Sequence, residues 1–574
     1  MAKDEASPID FNKVAIHTNI VDRTNVFHLS MVLQKLIKEC DAIAVDTEFT
    51  GLGTDVYAAT KSSENRKVVR PGMEDNLEER YESYSRVVRG HALVSLGLTL
   101  FKKLAASPTS ETIKDEVLAT PAKKKSKKSK KEKTTKETSD EEGSHCISPA
   151  SNIPRYRASN FEMILFCQSS HSVSPTSLAF LVQNGFDLNR QVTKGIPYLP
   201  GTQGMCLEVN SAVSSRLQSD LQKYNRVLRE IIMELLSSKA ALVVHNGLLD
   251  LMFIYHSFYA DLPSKFSTFL TDVADWAESG GLFDTKCLSE YVTRDGASYL
   301  SFLFNKSLRE QAVLHHLLKD KTPISLKSFS VVMQPRIQLG ITPEDPKESS
   351  MPAPTAPDAI SKLLETLAGD NTTDSIPLEA IFCFNYMFHG HCKDNQYSSS
   401  LTSAAPSCPK SHDLTRFLDA SLLLAKKRFC NATNPSKIQL TPPPFLLDFF
   451  KSSHPSFYKQ ILETAAKHLP SSYSEPQANA THSAQYDSFM TGYVFLHFLN
   501  HPDPSTQIDL TPSSSIPSPG SLVAFLALSQ SASAPQKSYR NHLYLMGKKF
   551  PLLVARSKFS KCSEAHRKLW HLES

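Results

Sequence analysis

Between residues 28 and 260 the apolar residues switch repeatedly between two spacings, and the switching leaves few architectures open. HLSMVLQKLIKEC at 28–40 has helical spacing, and DAIAVDTEF directly after it reads as a strand. HALVSLGLTLF at 91–101 and FEMILFCQS at 161–169 read as two further strands. SLAFLVQNGFDLNR at 177–190 predicts a helix that stops near Gly185, and 221–237 predicts another. ALVVHNGLLDLMFIYHSFY then gives a short buried strand, a turn at Asn246 and Gly247, and a helix opening near Leu248. Strand and helix in alternation over the first half of a chain is an α/β pattern.

The alternation breaks twice. Residues 107–157 are rich in Ser, Thr, Lys and Pro and poor in large apolar groups. Such a segment buries too little surface to offset its ordering entropy, so a disordered loop joining two neighbouring strands is expected. It contains PAKKKSKKSKKEKTTK at 121–136, with nine lysines and one glutamate. On its own this could be a solvated basic face. An exposed basic cluster between Lys123 and Lys136 is also what a nuclear import receptor grips, so a nuclear location is expected. The second break, 335–480, is rich in Pro and Ser around one cysteine group. Order returns at 486 with the amphipathic helix YDSFMTGYVFLHFL, followed by SLVAFLALS and NHLYLMG.

Of the 574 residues, 41% are hydrophobic and 21% charged, a globular balance. A net charge of +5 excludes a uniformly basic nucleic-acid coat, so any such contact must be local. Most of the ten cysteines stand singly in apolar surroundings, as in a reducing compartment. No apolar segment follows MAKDEASPID, and LVAFLAL at 522–528 is too short for a span. A soluble intracellular protein without membrane contact is therefore expected, with the sequons at Asn371 and Asn479 accidental.

The strand AIAVDTEF carries two carboxylates one residue apart. Strand side chains alternate, so Asp46 and Glu48 share a face and repel. Asp250 lies about one turn into the helix that follows HNG, and Asp487 begins the last strong helix, five residues after His482. Four acids converging on one volume would need divalent cations, and oxygen ligands select Mg²⁺, with Mn²⁺ as the alternative. Two such ions ~3.5–4 Å apart clamp the attacking and leaving oxygens of a phosphodiester, and a neutral histidine can take the proton of the attacking water. Each element alone is weak: a D-x-E at a strand end is common, and a helical Asp is usually solvated or capping. The set and its order carry the information.

VDTEF, HNGLLDL and HxxxxD resemble the DEDD superfamily of 3′-to-5′ exonucleases in its histidine-bearing form. ERY at 79–81, SLGLTLFK at 95–102, FLVQNGFDLN at 180–189, KGIPY at 194–198 and FDTK at 283–286 are similar to its CAF- and PARN-type deadenylase branch. Within that branch the chain is most similar to nuclear deadenylases with a CCCH zinc finger ahead of the last motif. YDSFMTGYV, NHLYLMGKKFPLLVARSKFS and AHRKLW extend the likeness, which covers most of 30–300 and 482–570. It implies that Asp46, Glu48, Asp250 and Asp487 hold two Mg²⁺ and that His482 is the general base. Gln485 departs from the family, which has glycine there, and would place the His482 loop differently. Relatives often dimerise, and a homodimer is expected by that analogy alone.

Cys383, Cys392, Cys408 and His412 read C-x8-C-x15-C-x3-H, a donor set for tetrahedral zinc. The middle interval is about ten residues longer than the family's, and QYSSSLTSAAP reads as a looped-out insert. A degenerate finger without metal is the plain alternative, and His389, His391 or Cys430 are alternative ligands. Phe384, Tyr386 and Phe388 are candidates to stack RNA bases.

The expected architecture is an α/β, RNase H-like DEDD domain, a mixed sheet flanked by helices. It runs through 11–330 and 481–570, interrupted by the basic loop and by the 335–480 insertion with its finger at 383–412. The expected activity is a Mg²⁺-dependent 3′-to-5′ exoribonuclease trimming adenosine-rich 3′ tails of nuclear noncoding RNAs. Two rivals are a catalytically inactive RNA-binding adaptor, opposed by the presence of all four acids and the histidine, and a DNA 3′-exonuclease. Because Asp487 lies beyond both interruptions, residues 1–330 alone should not degrade RNA.

Overall fold

A computed structural model of the chain describes residues 17–52, 74, 76–105, 154–204, 215–319, 329–337, 382–392, 408, 410–414, 417–418, 483–500 and 539–570. The central sheet has the order β1-β4-β3-β2-β6-β7-β9-β10, with β5 and β8 also paired to β4. Its strands are β1 (Thr18–Val21), β2 (Ala42–Phe49), β3 (Leu93–Leu104), β4 (Arg155–Cys167), β5 (Ile196–Tyr198), β6 (Ala241–Val244), β7 (Leu282–Asp284), β8 (Ser330–Met333), β9 (His542–Leu543) and β10 (Leu552–Leu553).

β2, β3 and β4 form an antiparallel core, and β6 and β7 continue from β2 in parallel. On the outer edge of β4, three short parallel strands line up end to end: β8 at Arg155–Ala158, β1 at Asn160–Met163 and β5 at Leu165–Cys167. β4 begins at Arg155, inside the segment expected to be a disordered loop. RYRA alternates, burying Tyr156 and Ala158 while Arg155 and Arg157 are half-buried, so two apolar residues suffice to extend the strand. The first part of the domain likewise runs past 330: Gln334 donates its backbone N–H to Ala158, and Ile337 to Asn19 Oδ1. The rest of the basic loop, 522–528 and both sequons lie outside the described residues.

The helices are α1 (Val26–Glu39), α2 (Leu77–Gly90), α3 (Pro175–Gln183), α4 (Leu188–Lys194), α5 (Ser215–Leu236), α6 (Leu248–Ile254), α7 (Phe266–Trp276), α8 (Thr285–Leu288), α9 (Leu300–Lys319), α10 (Phe384–His389), α11 (Ala484–Leu499) and α12 (Glu564–Leu569). The segment expected as one helix at 177–190 becomes α3 and α4, divided at Gly185 with φ +86°. The sheet carries a core on each face. Ile43, Val45, Leu96, Leu98, Leu242 and Val244 point to one, covered by α1, α5, α6 and α7. Ala42, Ala44, Ala241, Val243 and Phe283 point to the other, under α9, α11 and the segment around Phe382 and Phe417. α11 is apolar nearly all round, burying Phe489, Met490, Val494, Phe495 and Phe498. A helix of that composition must be covered on more than one side, and the sheet and α9 do so.

Residues 539–570 close the domain. β9 pairs with β7, and α12 brings the fully buried His566 between the Tyr259 hydroxyl (2.6 Å) and Asp275 Oδ2 (2.7 Å). Asp272 accepts from the Tyr255 hydroxyl and from the Ser563 N–H. Asp272, Cys562 and His566 lie close enough to resemble a metal site. Both His566 nitrogens are already committed to Tyr259 and Asp275, so the group acts as a hydrogen-bonded clasp.

Candidate active site and cysteine cluster

The register explains why the acids gather where they do. On β2, Ala42, Ala44, Asp46 and Glu48 face α11, while Ile43, Val45 and Thr47 face the other core. Asp46 lies opposite Gly97 of β3, which lies opposite Glu162 of β4; Glu48 lies opposite Ser95. Gly97 leaves a gap in the sheet surface that the first turn of α11 fills. A Cβ on Gly97 would collide with the Ala484 carbonyl and lie 2.7 Å from the Gln485 nitrogen. Further along, Gly492 lies against Phe101 and Ala44, and Thr99 Oγ1 meets Ser488 Oγ at 2.9 Å. Two glycines and a hydroxyl pair therefore seat α11 directly on β2 and β3, with Asp487 in its first turn.

Asp46, Glu48 and Asp487 consequently offer carboxylate oxygens within 4.8 Å of one another. Burial, and then Asp487, Asp250 and Glu48, push Asp46 well above the usual carboxylate range. Burial does the same to Glu48, followed by Asp487, Asp250 and Glu162. Such a cluster favours a cation over three free carboxylates.

Asp250 departs from the expectation of four acids around one volume. It comes from α6, in the opposite layer, and meets β2 at Thr47, whose hydroxyl donates to its Oδ1. Burial raises it to about 6, partly opposed by that hydrogen bond. It is felt electrostatically by Asp46 and Glu48 but stands outside the group of three. Its turn is fixed by Asn246, in the left-handed region at φ +57°, which asparagine tolerates. Phe49 stacks on Phe253 at 4.5 Å and ties the same helix to β2.

Two residues that the acid pattern missed support this arrangement. Asp284, fully buried at the end of β7, accepts backbone N–H groups from Asn246 (2.9 Å), Lys286 (2.9 Å), Cys287 (3.3 Å) and Tyr544 (2.9 Å). It thereby joins the Asp250 turn to β7 and β9. Only its place in the FDTK segment marked it in the sequence. Glu162, buried and raised by burial, accepts from the Ser95 hydroxyl at 3.1 Å and adds charge behind Glu48. No sequence spacing announced it, because it joins the acids only through strand register. His482 and Cys430 lie outside the described residues; Gln485 sits in α11 directly above Gly97.

Cys383, Cys392, Cys408 and His412 do come together, with ligating atoms within 4.8 Å of one another. Cys383 and Cys392 sulfurs are 3.6 Å apart, and burial raises Cys383 to about 11. Three crowded thiols and an imidazole fit tetrahedral zinc, whose charge favours the thiolates. His389 and His391 are exposed and stand outside the group. The 15-residue interval therefore leaves the four ligands able to meet. Tyr386 stacks on His412 at 4.4 Å, and Phe384 and Phe388 pack edge-on against Phe417. All three rings are half-buried in this packing. The Tyr299 hydroxyl donates to the Met387 carbonyl at 3.0 Å, tying α10 to the α9 region.

A family model described as CAF1 family ribonuclease matches residues 21–224 and 207–495. The chain belongs to the CAF1 ribonuclease family. A CAF1 family ribonuclease is a DEDD-type exoribonuclease. Among solved structures it is similar to S. pombe Pop2p in its Mg²⁺- and Mn²⁺-bound form, at 13% identity over 48% of this chain and 77% of that one, with a TM-score of 0.28. It is also similar to the RNase domain of yeast Pop2, at 12% identity over 50% of this chain and 73% of that one, with a TM-score of 0.28. A third is a chain from yeast NOT1 MIF4G domain co-crystallised with CAF1, at 14% identity over 50% and 76%, with a TM-score of 0.26. Among the described residues of this CAF1-family chain, no helix is long and apolar enough to cross a membrane.

Proposed function

We propose that this CAF1-family ribonuclease is a Mg²⁺-dependent 3′-to-5′ exoribonuclease of the poly(A)-specific type, trimming adenosine-rich 3′ tails of nuclear noncoding RNAs such as small nuclear RNAs. The observation that carries the proposal is the convergence of Asp46, Glu48 and Asp487, from the two ends of the chain, within 4.8 Å. These three would hold divalent cations, Mg²⁺ or Mn²⁺, with Asp250 completing the set from the opposite layer. Bound there, two such ions would stabilise the charge on the attacking and leaving oxygens of a phosphodiester. Thr47 holds Asp250 in place, Asp284 holds its turn, and Glu162, held by Ser95, adds to the negative charge around Glu48 that a cation would offset. His482, next to the Ser483 N-cap of α11, would accept the proton of the attacking water.

Zinc in the Cys383, Cys392, Cys408 and His412 group would make the CCCH finger, with Phe384, Tyr386 and Phe388 as its candidate RNA-stacking rings. The sequence resembles the nuclear deadenylase called target of early growth response, and a nuclear location through the run from Lys123 to Lys136 fits that reading. The test is digestion of a 5′-labelled RNA ending in adenosines, with Mg²⁺, with EDTA, and with the Asp46→Ala/Glu48→Ala variant. A ladder shortening from the 3′ end, lost with EDTA and in the variant, is expected. Absence of a ladder from folded, Mg²⁺-supplied protein would favour the RNA-binding adaptor instead.

A further inference from the structure

The β9–β10 hairpin and the turn after it have two unlike sides. Inward, Leu543, Leu545, Leu552 and Val554 are buried. The hairpin is fixed to β7 by Asn541 N–H to the Leu282 carbonyl (2.7 Å) and by Tyr544 N–H to Asp284 (2.9 Å). Outward, Phe550 is 68% exposed, Leu553 53% and Phe559 98%. Interleaved with them are Lys549, Lys558 and Lys561, which make no ion pair among the described residues. The stretch 546–561 contains four lysines, one arginine and no acid. A fixed scaffold that keeps flat rings and cations in water has the composition of a single-stranded nucleic-acid platform, where bases stack on aromatics and the backbone meets positive charge.

Its place in the sheet selects the ligand. His542 of β9 lies level with Phe283, Val243 and Ala44, on the face that carries the acids, and Leu553 is paired with His542. Two residues on along these parallel strands come Tyr544, Thr285, His245 and Asp46. The hairpin and the carboxylates therefore open on the same face and the same end of the sheet, and Asp284 bonds both to the hairpin and to the turn that carries Asp250. We propose that this hairpin is a platform for the single-stranded RNA upstream of the 3′ nucleotide, holding the tail while its end is trimmed.

The proposal rests on the exoribonuclease reading above, and its test separates the two. Full-length protein is compared with Phe550→Ala/Phe559→Ala and Lys549→Glu/Lys558→Glu/Lys561→Glu variants, all with Mg²⁺. The substrates are oligoadenylates of four and of twenty nucleotides. Binding of the labelled twenty-mer is measured by anisotropy in the Asp46→Ala/Glu48→Ala background, which needs no chelator. The ratio of kcat/KM for the long over the short substrate is expected to fall about tenfold in each variant, with a matching rise in Kd. For the phenylalanine variant that size is the low end of what a single stacked base contributes, and for the lysine variant it reflects lost phosphate contacts. The salt slope of the lysine variant should shrink by about 2, from three phosphates at ~0.7 each. Long-over-short ratios and Kd equal to wild type would overturn the platform. So would unchanged RNA figures together with lost binding to phosphatidylserine vesicles, which would make this a membrane-facing surface. A wild type that trims neither substrate would sink the exoribonuclease reading, while Kd still reports on the platform.

Discussion

Replacing Gly97 by alanine tests whether the gap in β3 sets the position of Asp487. The new methyl would lie 2.7 Å from the Gln485 nitrogen and nearer still to the Ala484 carbonyl. Ordinary carbon–oxygen contacts are about 3.3 Å or more, so the start of α11 must retreat by on the order of 1 Å. Backbone atoms on both sides cannot rotate away as a side-chain tip could. Overpacking of this kind costs about 1–3 kcal/mol. The catalytic effect should be larger, because a misplacement of about 1 Å at a reacting centre costs on the order of 100-fold in rate. The assay is single-turnover 3′-end digestion of an adenosine-tailed RNA with saturating Mg²⁺, beside thermal unfolding. Gly90→Ala is the control, since nothing lies within 4 Å of a Cβ there. A Gly97→Ala protein within threefold of wild-type rate would refute the argument that α11 docks on this glycine.

Three further outcomes follow from other parts of the fold. Lys306 lies buried between Asp295 (2.8 Å) and Glu310 (3.0 Å), and those carboxylates keep it charged against the effect of burial. Lys306→Met should cost about 3–5 kcal/mol in chemical denaturation by leaving buried charge behind, with part regained on adding Asp295→Asn. Because folding raises the lysine pKa, this contribution is fully present below about 10, the unfolded value, and is lost as pH climbs above it toward the folded value. Asp284→Ala removes the acceptor from four backbone N–H groups. At ~1–3 kcal/mol for a buried group left unsatisfied, a loss of at least about 3 kcal/mol is expected by urea melt, with digestion slowed as the Asp250 turn loosens. Purified protein should carry zinc by elemental analysis, and Cys392→Ser should lose it; a wild type without zinc would mark the finger as degenerate.

Much of this arrangement was legible in the sequence, and the gaps have a common cause. AIAVDTEF declared a strand and a shared face because strand alternation is local. YDSFMTGYVFLHFL declared a helix for the same reason, and HNGLLDL declared a turn and a helix start. The grouping of Cys383, Cys392, Cys408 and His412 was legible despite their spacing because a loop between two clustered residues constrains neither. What stayed hidden depends on partners far along the chain. Gly97 reads as an unremarked residue in a strand until Ala484 lies on it. Glu162 joins the acids only through register with Gly97 and Asp46. Asp250 read as one of four equivalent acids, and only the layer occupied by α6 shows that it approaches from the other side of β2, held by Thr47. β1, β5 and β8 are three or four residues long and form because one long strand offers them an edge.

The seating of α11 also sets a schedule. The Thr99 and Ser488 hydroxyls that meet beneath it are 389 positions apart. A ribosome adding ~5–20 residues per second needs roughly 20–80 s to travel between them. Throughout that interval Asp46 and Glu48 have been made and Asp487 has not. Asp46, Glu48 and Asp487 can therefore meet only once synthesis has reached α11, so a nascent chain cut short anywhere before it lacks the assembled acid group.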